Sequence, residues 1–122
     1  MAGTLVANTI NTDTGLFSTN NAYSGIAKAW AYYNGSSATL NGSFNVGSVT
    51  KNSTGNYTFN FTTAMSNATY ATTTGVSYDL TTGTGNVFVK LISQSTSAVN
   101  VLVLSTGGSA IDAVYVAVAV ND

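Results

Sequence analysis

Very few side chains in this 122-residue sequence could transfer a proton, attack a substrate or hold a metal ion. It contains no His, Cys, Glu, Arg or Pro, so the ionisable side chains besides tyrosine are three lysines and four aspartates: Lys28, Lys51, Lys90, Asp13, Asp79, Asp112 and Asp122. A serine nucleophile needs a base within hydrogen-bond reach, and without His only the lysines could serve. A glycosidase-like carboxylate pair would need two of the scattered aspartates in one cleft. The composition predicts a protein that is not an enzyme and has no catalytic residue.

Metal binding has equally little support. Asp79 and Asp112 fall at turn positions, where aspartate usually bonds its own backbone. Without His, Cys or Glu, only a hard-cation site of oxygen ligands is possible. Residues 11–15 have the start of a calcium loop but lack its alternating carboxylates and closing Glu, so an ordinary turn is favoured. We predict no metal and no cofactor.

The chain is almost uncharged, with 6% charged residues and a net charge of −1. It has no field to attract nucleic acid or an anionic membrane, so neither is expected as a partner. The first residues lack the pattern of a secretory signal, and synthesis in a cytosol is expected. With so few charges, solubility depends on Ser, Thr and Asn or on burial against other subunits. We expect a homo-oligomer or a place in a larger assembly, with a neutral soluble monomer as the alternative.

Aromatic side chains are the one possible resource for binding. Trp30, Tyr32 and Tyr33 crowd one predicted strand, and sugar rings stack on such side chains. Because large aromatics are usually buried, Trp30 and Tyr32 are predicted to lie in the core or at a subunit interface, with Tyr33 a partly exposed neighbour. The residues predicted to contact another subunit or an outside surface are Phe17, Tyr23, Trp30, Tyr33, Tyr78 and Tyr115.

The elements that position these residues are β-strands. In residues 56–62, Tyr57, Phe59 and Phe61 alternate with polar residues, which is typical of a half-buried antiparallel strand. The predicted strands are residues 28–33, 43–50, 56–62, 69–74, 87–92, 98–104 and 113–120. Their spacing, with Gly, Ser and Asn turns between them, predicts an all-β fold: an antiparallel β-sandwich, jelly-roll-like, with an extended N-terminal arm.

The sequence divides into two parts. Residues 1–25 hold much turn chemistry and too little apolar surface to fold alone, so they are predicted to be an extended attachment or oligomerisation arm. A disordered tail is the alternative for residues 1–10. Residues 26–122 are predicted to form the β-sandwich domain.

One stretch has a more specific pattern. Ala-Lys-Ala-Trp occupies positions 27–30, Ser-Phe-Asn-Val-Gly-Ser-Val-Thr positions 43–50, Gly-Asn-Tyr-Thr-Phe-Asn-Phe-Thr-Thr-Ala-Met positions 55–65 and Ala-Thr-Tyr-Ala positions 68–71; Val-Tyr-Val-Ala-Val follows at 114–118. In these residues the chain resembles the small β-domain of bacteriophage tail-fibre and other virion appendage proteins. It departs from that pattern at Ser66, where such domains usually have Pro, and at Ala119, where they have an aromatic residue.

The resemblance implies an all-β, often trimeric module with no catalytic residues. It predicts a bacteriophage virion structural protein, a short tail fibre or knob, made in the host cytoplasm and located in the virion. The expected partners are further copies in a homotrimer, other virion proteins through the arm, and a host-surface glycan. The alternatives are a capsid decoration or cement protein (a head fibre) and, less favoured, a glycan-binding module or a depolymerase.

Overall fold

The computed structural model describes residues 3–4, 6, 9–12, 15–18, 25–79 and 85–122. Every element that it defines is a β-strand: β1 (Thr9–Thr12), β2 (Gly15–Ser18), β3 (Ala29–Asn34), β4 (Thr39–Phe44), β5 (Val46–Ser53), β6 (Asn56–Phe61), β7 (Ala71–Ser77), β8 (Val87–Gln94), β9 (Ala98–Ser105) and β10 (Tyr115–Asn121). Within this described part, no helix is long and apolar enough to cross a membrane.

Eight of these strands form two antiparallel four-stranded sheets. The front sheet has the order β4-β3-β10-β7, and the back sheet has the order β5-β6-β9-β8. The predicted all-β, sandwich-like fold is therefore confirmed. The jelly-roll-like description is not confirmed, because the hairpins β3–β4, β5–β6 and β8–β9 each stay within one sheet.

A single apolar core lies between the two sheets. Its fully buried side chains alternate along each central strand with less buried ones, as period-two side-chain geometry requires. The back sheet contributes Tyr57, Phe59, Val99, Val101 and Val103, and the front sheet contributes Ala29, Ala31, Tyr33, Val116, Val118 and Val120. The valines of β9 and β10 suit these positions because β-branched side chains pack well on a pleated surface.

Between β4 and β5 the chain passes from the front sheet to the back sheet through one residue, Asn45. Its φ of 55° lies in the left-handed region that Asn tolerates better than most residues. The side-chain amide donates hydrogen bonds to the carbonyls of Lys28 and Thr63, each at 3.0 Å, and its carbonyl accepts one from the Thr63 N–H at 2.7 Å. The prediction of one strand over residues 43–50 is therefore wrong: Asn45 divides it between two sheets.

The N-terminal part contains a hairpin. β1 pairs with β2 antiparallel as a separate two-stranded sheet. The extended arm is therefore not confirmed, and the predicted boundary between residues 25 and 26 stays a prediction.

The two ends of the sandwich domain meet at one pole. The Lys28 N–H donates to the Val120 carbonyl at 2.7 Å, and the Asn121 side chain donates to the Gly25 carbonyl at 3.1 Å. The same pole holds Asn45 and the turn after β6, where the Asp122 carboxylate accepts hydrogen bonds from the N–H and hydroxyl of Ser66. We call it the entry pole. The turns after β3 and β5 lie at the opposite, distal pole.

Candidate ligand-binding groove

The outer face of the front sheet carries a groove walled by aromatic rings. Trp30 and Tyr32 project outward from β3, since their neighbours Ala29, Ala31 and Tyr33 are buried. Tyr115 projects from β10 on the same side, because the next residue, Val116, faces the core. The ring centroids of Tyr32 and Tyr115 are 4.9 Å apart, and the ring planes are tilted by 43°. Tyr32 and Tyr115 therefore pair across two adjacent strands. Trp30 lies on the same face, with its ring close to Gly42 of β4, and we call the three rings that line the groove the aromatic wall.

Small side chains form the floor of this groove. Ala117 and Ala119 of β10 lie opposite Gly75 and Thr73 of β7 in the sheet register. A Cβ added at Gly75 would meet the Tyr115 ring at 3.5 Å, so a larger residue there would narrow the groove. The depression measures about 480 Å³, which is within the range of small-molecule sites. We call it the aromatic groove, and its lining consists of Trp30, Ala31, Tyr32, Thr73, Thr74, Gly75, Tyr115, Ala117, Val118 and Ala119.

The electrostatic character of the aromatic groove is neutral. None of its lining residues carries a charge. Trp30 is 44% exposed, and Tyr32 and Tyr115 are half-buried. In the described part of the chain, no hydrogen bond joins the Trp30 indole N–H or the hydroxyls of Tyr32 and Tyr115 to another protein group.

A second group of side chains that could do chemistry surrounds Asp112. Its carboxylate accepts hydrogen bonds from the Lys51 ammonium at 2.6 Å, the Gly55 N–H at 2.9 Å and the Tyr57 hydroxyl. The prediction that Asp112 bonds its own turn is wrong, because these partners lie 55 or more residues away in the chain.

The protonation states of this cluster are fixed at neutral pH. Burial alone would raise the pKa of Asp112, but the hydrogen bonds from Lys51, Tyr57 and Gly55 outweigh it and lower that pKa below its usual value. Burial, followed by the bond to the Asp112 carboxylate, raises the pKa of Tyr57 far above its usual value. Both shifts favour an ionised Asp112 carboxylate and a neutral Tyr57 phenol near pH 7.

Ser48 and Lys51 have the Ser-x-x-Lys spacing of some acyl-transfer enzymes, but the strand separates them. Both lie in β5 with an unbroken register between them, so side chains three residues apart point to opposite faces. The Ser48 hydroxyl accepts a hydrogen bond from Asn60 at 3.1 Å, while Lys51 pairs with Asp112. The described residues also contain no group of three or more His, Cys, Asp or Glu that could hold a metal ion.

The predicted contact residues fall in different places. Trp30 and Tyr115 meet in the aromatic groove. Tyr78, 41% exposed, lies beyond the end of β7. Phe17 is in β2, but its side chain, like the whole of Tyr23, lies outside the described residues.

Tyr33 lies on the core side of β3 and not on the partly exposed side that the sequence predicts. It is only 3% exposed and packs edge-on against Tyr57 and Phe59 in the core, with centroid distances of 5.1 and 6.1 Å. The prediction that it contacts an outside surface is therefore wrong, as is the prediction that Trp30 and Tyr32 belong to the core within this chain. The core face of β3 consists of Ala29, Ala31 and Tyr33, and the face that carries Trp30 and Tyr32 points outward.

Sequence reasoning missed an exposed apolar set on the back sheet. Phe88, Leu91 and Ile92 of the edge strand β8 are 45%, 43% and 44% exposed; we call them the β8 patch. It also missed an end cavity of about 730 Å³ at the entry pole, lined in part by Ile26, Phe44 and Met65. The apolar residues 87–89 and 91–92 were a usable signal for the β8 patch, because an edge strand leaves part of such a segment uncovered.

Comparisons with protein-family models, curated proteins and solved structures find no match for this chain.

Proposed function

We propose that this chain is a non-catalytic structural subunit of a bacteriophage virion, a short tail-fibre or appendage protein that acts by assembling with copies of itself and being displayed. The observation that carries this proposal is the β8 patch. Three large apolar side chains lie exposed on an edge strand, in a chain with a net charge of −1. Exposed apolar surface of this kind marks interaction sites.

The geometry of β8 favours association. Among the described strands, β8 pairs only with β9, so the backbone groups along its other side have no strand partner. Phe88 shares the outer face of the back sheet with Lys90 and with Leu104 and Leu102 of β9. Leu91 lies opposite the buried Val101, so it points to the other face and is exposed at the open edge of the sheet. Lys90 is the one charged residue of the strand and gives limited protection against edge-to-edge pairing. A neighbouring subunit that pairs along this edge would cover Phe88 and Leu91 and would lie close to Lys90, which shares the face of Phe88.

The N-terminal hairpin supports the attachment part of the proposal. An isolated two-stranded hairpin is at best marginally stable in water, and β1–β2 belongs to neither large sheet. Packing against a binding partner would stabilise such a hairpin. We infer that residues 1–25 attach the sandwich domain to another virion protein, and the homotrimeric state follows from the resemblance to phage appendage domains.

Light scattering coupled to size-exclusion chromatography tests the assembly. The wild-type chain is expected to have the mass of a trimer, and a variant with Phe88→Ser, Leu91→Ser and Ile92→Ser is expected to have the mass of a monomer with unchanged β-sheet circular dichroism. Ile26→Ser is the matched control, because Ile26 is also exposed and apolar but lies outside β8. A wild-type monomer at high protein concentration would contradict the proposal.

Location on the particle tests the virion role separately. Antibody labelling of purified phage particles is expected to mark the tail or its appendages, and labelling should be lost when residues 1–25 are deleted. Labelling over the head would support the capsid decoration alternative. Absence of the chain from purified particles would refute a structural role in the virion.

A further inference from the structure

We propose that the aromatic groove binds a neutral oligosaccharide, with Trp30, Tyr32 and Tyr115 stacking against the apolar faces of the sugar rings. This inference is independent of the assembly proposed through the β8 patch, which lies on the other sheet.

The first argument is the aromatic wall. Sugar rings present flat C–H faces that stack on aromatic rings, and an extended saccharide needs more than one such platform. Trp30 and Tyr32 are two residues apart on one face of β3, which separates them by about 7 Å along the strand. Tyr115 continues the wall onto the adjacent strand. The wall can therefore contact more than one ring of the same chain.

The second argument is the supply of hydrogen-bonding groups. A saccharide carries hydroxyl groups around the edge of each ring, and these need donors and acceptors. The Trp30 indole N–H and the hydroxyls of Tyr32 and Tyr115 have no protein partner in the described part of the chain. By contrast, the buried Tyr70 hydroxyl donates to the Ser95 and Ala98 carbonyls, and Tyr57 is bonded to Asp112. Among the described residues, the tyrosines of the groove thus differ from the core tyrosines, whose hydroxyls are bonded within the protein.

The third argument concerns charge and shape. The lining contains no ionic group, which fits a neutral polyhydroxyl ligand better than a phosphate, an acidic glycan or a charged peptide. Gly75, Ala117 and Ala119 keep the floor low beneath the rings. A groove with small floor residues and an aromatic wall accepts a narrow, chain-like ligand.

The test uses Trp30 as its own reporter, because it is the single tryptophan of the sequence. Maltohexaose, cellohexaose, mannohexaose and chitin hexasaccharide are titrated against the protein, with hyaluronan as an anionic comparison, by tryptophan fluorescence and calorimetry. At least one neutral probe is expected to bind and shift the Trp30 emission. Trp30→Ala and Tyr115→Ala are expected to weaken that binding by about tenfold or more, and Tyr115→Phe by less, because it removes only the hydroxyl.

The matched control is Tyr78→Ala, which removes a similarly exposed tyrosine outside the aromatic groove and should change affinity by less than about twofold. Failure of every neutral probe to bind at millimolar concentration overturns the proposal, as does binding that Trp30→Ala and Tyr115→Ala leave unchanged. If these variants instead lower the mass of the assembly without affecting sugar binding, the groove is an interface between copies. Repeating the titration on the β8 variant separates this proposal from the assembly, because a monomer should still bind the sugar.

Discussion

The hydroxyl of Tyr57 donates a hydrogen bond to the carboxylate of Asp112, and this bond joins β6 to the segment that precedes β10. The Tyr57 side chain is fully buried in the core, while Asp112 is partly exposed at the distal pole. The same carboxylate binds the Gly55 N–H and pairs with Lys51. One aspartate thus ties the β5–β6 hairpin of the back sheet to the front sheet.

Asp112→Ala should destabilise the fold by about 2–4 kcal/mol, because it leaves the Tyr57 hydroxyl and the Gly55 N–H without their acceptor. Urea unfolding followed by circular dichroism measures the change. Lys51→Met is the matched control: it removes only the partly exposed ion pair and should cost less than about 1 kcal/mol. Equal losses for the two variants would show that the ion pair, rather than the buried hydrogen bonds, stabilises this junction.

Stability should fall in acid. The folded-state pKa of Asp112 lies below its ordinary value of 3.8, because the hydrogen bonds from Lys51, Tyr57 and Gly55 outweigh the effect of burial. The unfolded chain therefore binds more protons in this range, and the contribution of Asp112 is complete above pH 3.8 and is lost as the pH falls through the folded-state pKa.

Asp122 shifts in the same direction, chiefly through the hydrogen bonds from Ser66. Thermal unfolding at a series of pH values should show a decline below about pH 4 that Asp112→Asn reduces. A profile that is equally steep in Asp112→Asn would assign the decline to other groups.

Alanine substitutions at two glycines with positive φ can distinguish the cost of backbone strain from the cost of a steric clash. Gly55 has a φ of 72°, and a Cβ there would lie 2.6 Å from the Val103 carbonyl oxygen. Gly108 has a φ of 84° but nothing within 4 Å of the same position. Gly108→Ala should cost about 1–2 kcal/mol from the left-handed conformation alone, and Gly55→Ala should cost clearly more. Similar unfolding midpoints for both would show that the hairpin moves to accommodate the methyl group.

Replacing Tyr33 or Tyr32 of β3 by alanine should lower the free energy of unfolding by clearly different amounts. Tyr33→Ala should cost about 3–5 kcal/mol, since it removes a buried ring that contacts Tyr57 and Phe59. Tyr32→Ala removes a half-buried ring on the outer face and should cost about 1–2 kcal/mol. Chemical unfolding of the two variants provides the comparison. A larger loss for Tyr32→Ala would contradict the assignment of the core face.

Strand alternation was readable from the sequence wherever one face is clearly apolar. Tyr57 and Phe59 of β6 are fully buried as predicted, and Val116, Val118 and Val120 of β10 line the core. The opposite face of β10 carries only small residues, and Ala117 and Ala119 are half-buried there on the floor of the aromatic groove. Alternation identifies two faces but does not show what covers each of them.

The orientation of β3 could not be read locally. Both faces of β3 carry apolar residues, and hydrophobicity alone would place the face with two aromatic residues, Trp30 and Tyr32, in the core. The outcome depends on pairing with β10, where Val118 lies opposite Ala31 and Val120 opposite Ala29, so those alanines share the core face of the valines. That register joins Ala29 and Val120, which are 91 positions apart in the chain. The residues near Trp30 in the sequence therefore do not indicate it. The aromatic groove was hidden from the sequence for the same reason.

The meeting of the domain's two ends at the entry pole gives the molecule a base and a tip. Anything fused before Gly25 or after Asp122 emerges beside the same turn, because the Lys28–Val120 and Asn121–Gly25 hydrogen bonds hold the two ends together. A group joined directly before Gly25 or after Asp122 would therefore lie at the base, at the opposite pole from the hairpins near Ser36, Gly55 and Ser109. Of these tip hairpins, the one at Gly108, where an added Cβ would meet nothing within 4 Å, is the natural position for inserting a foreign epitope.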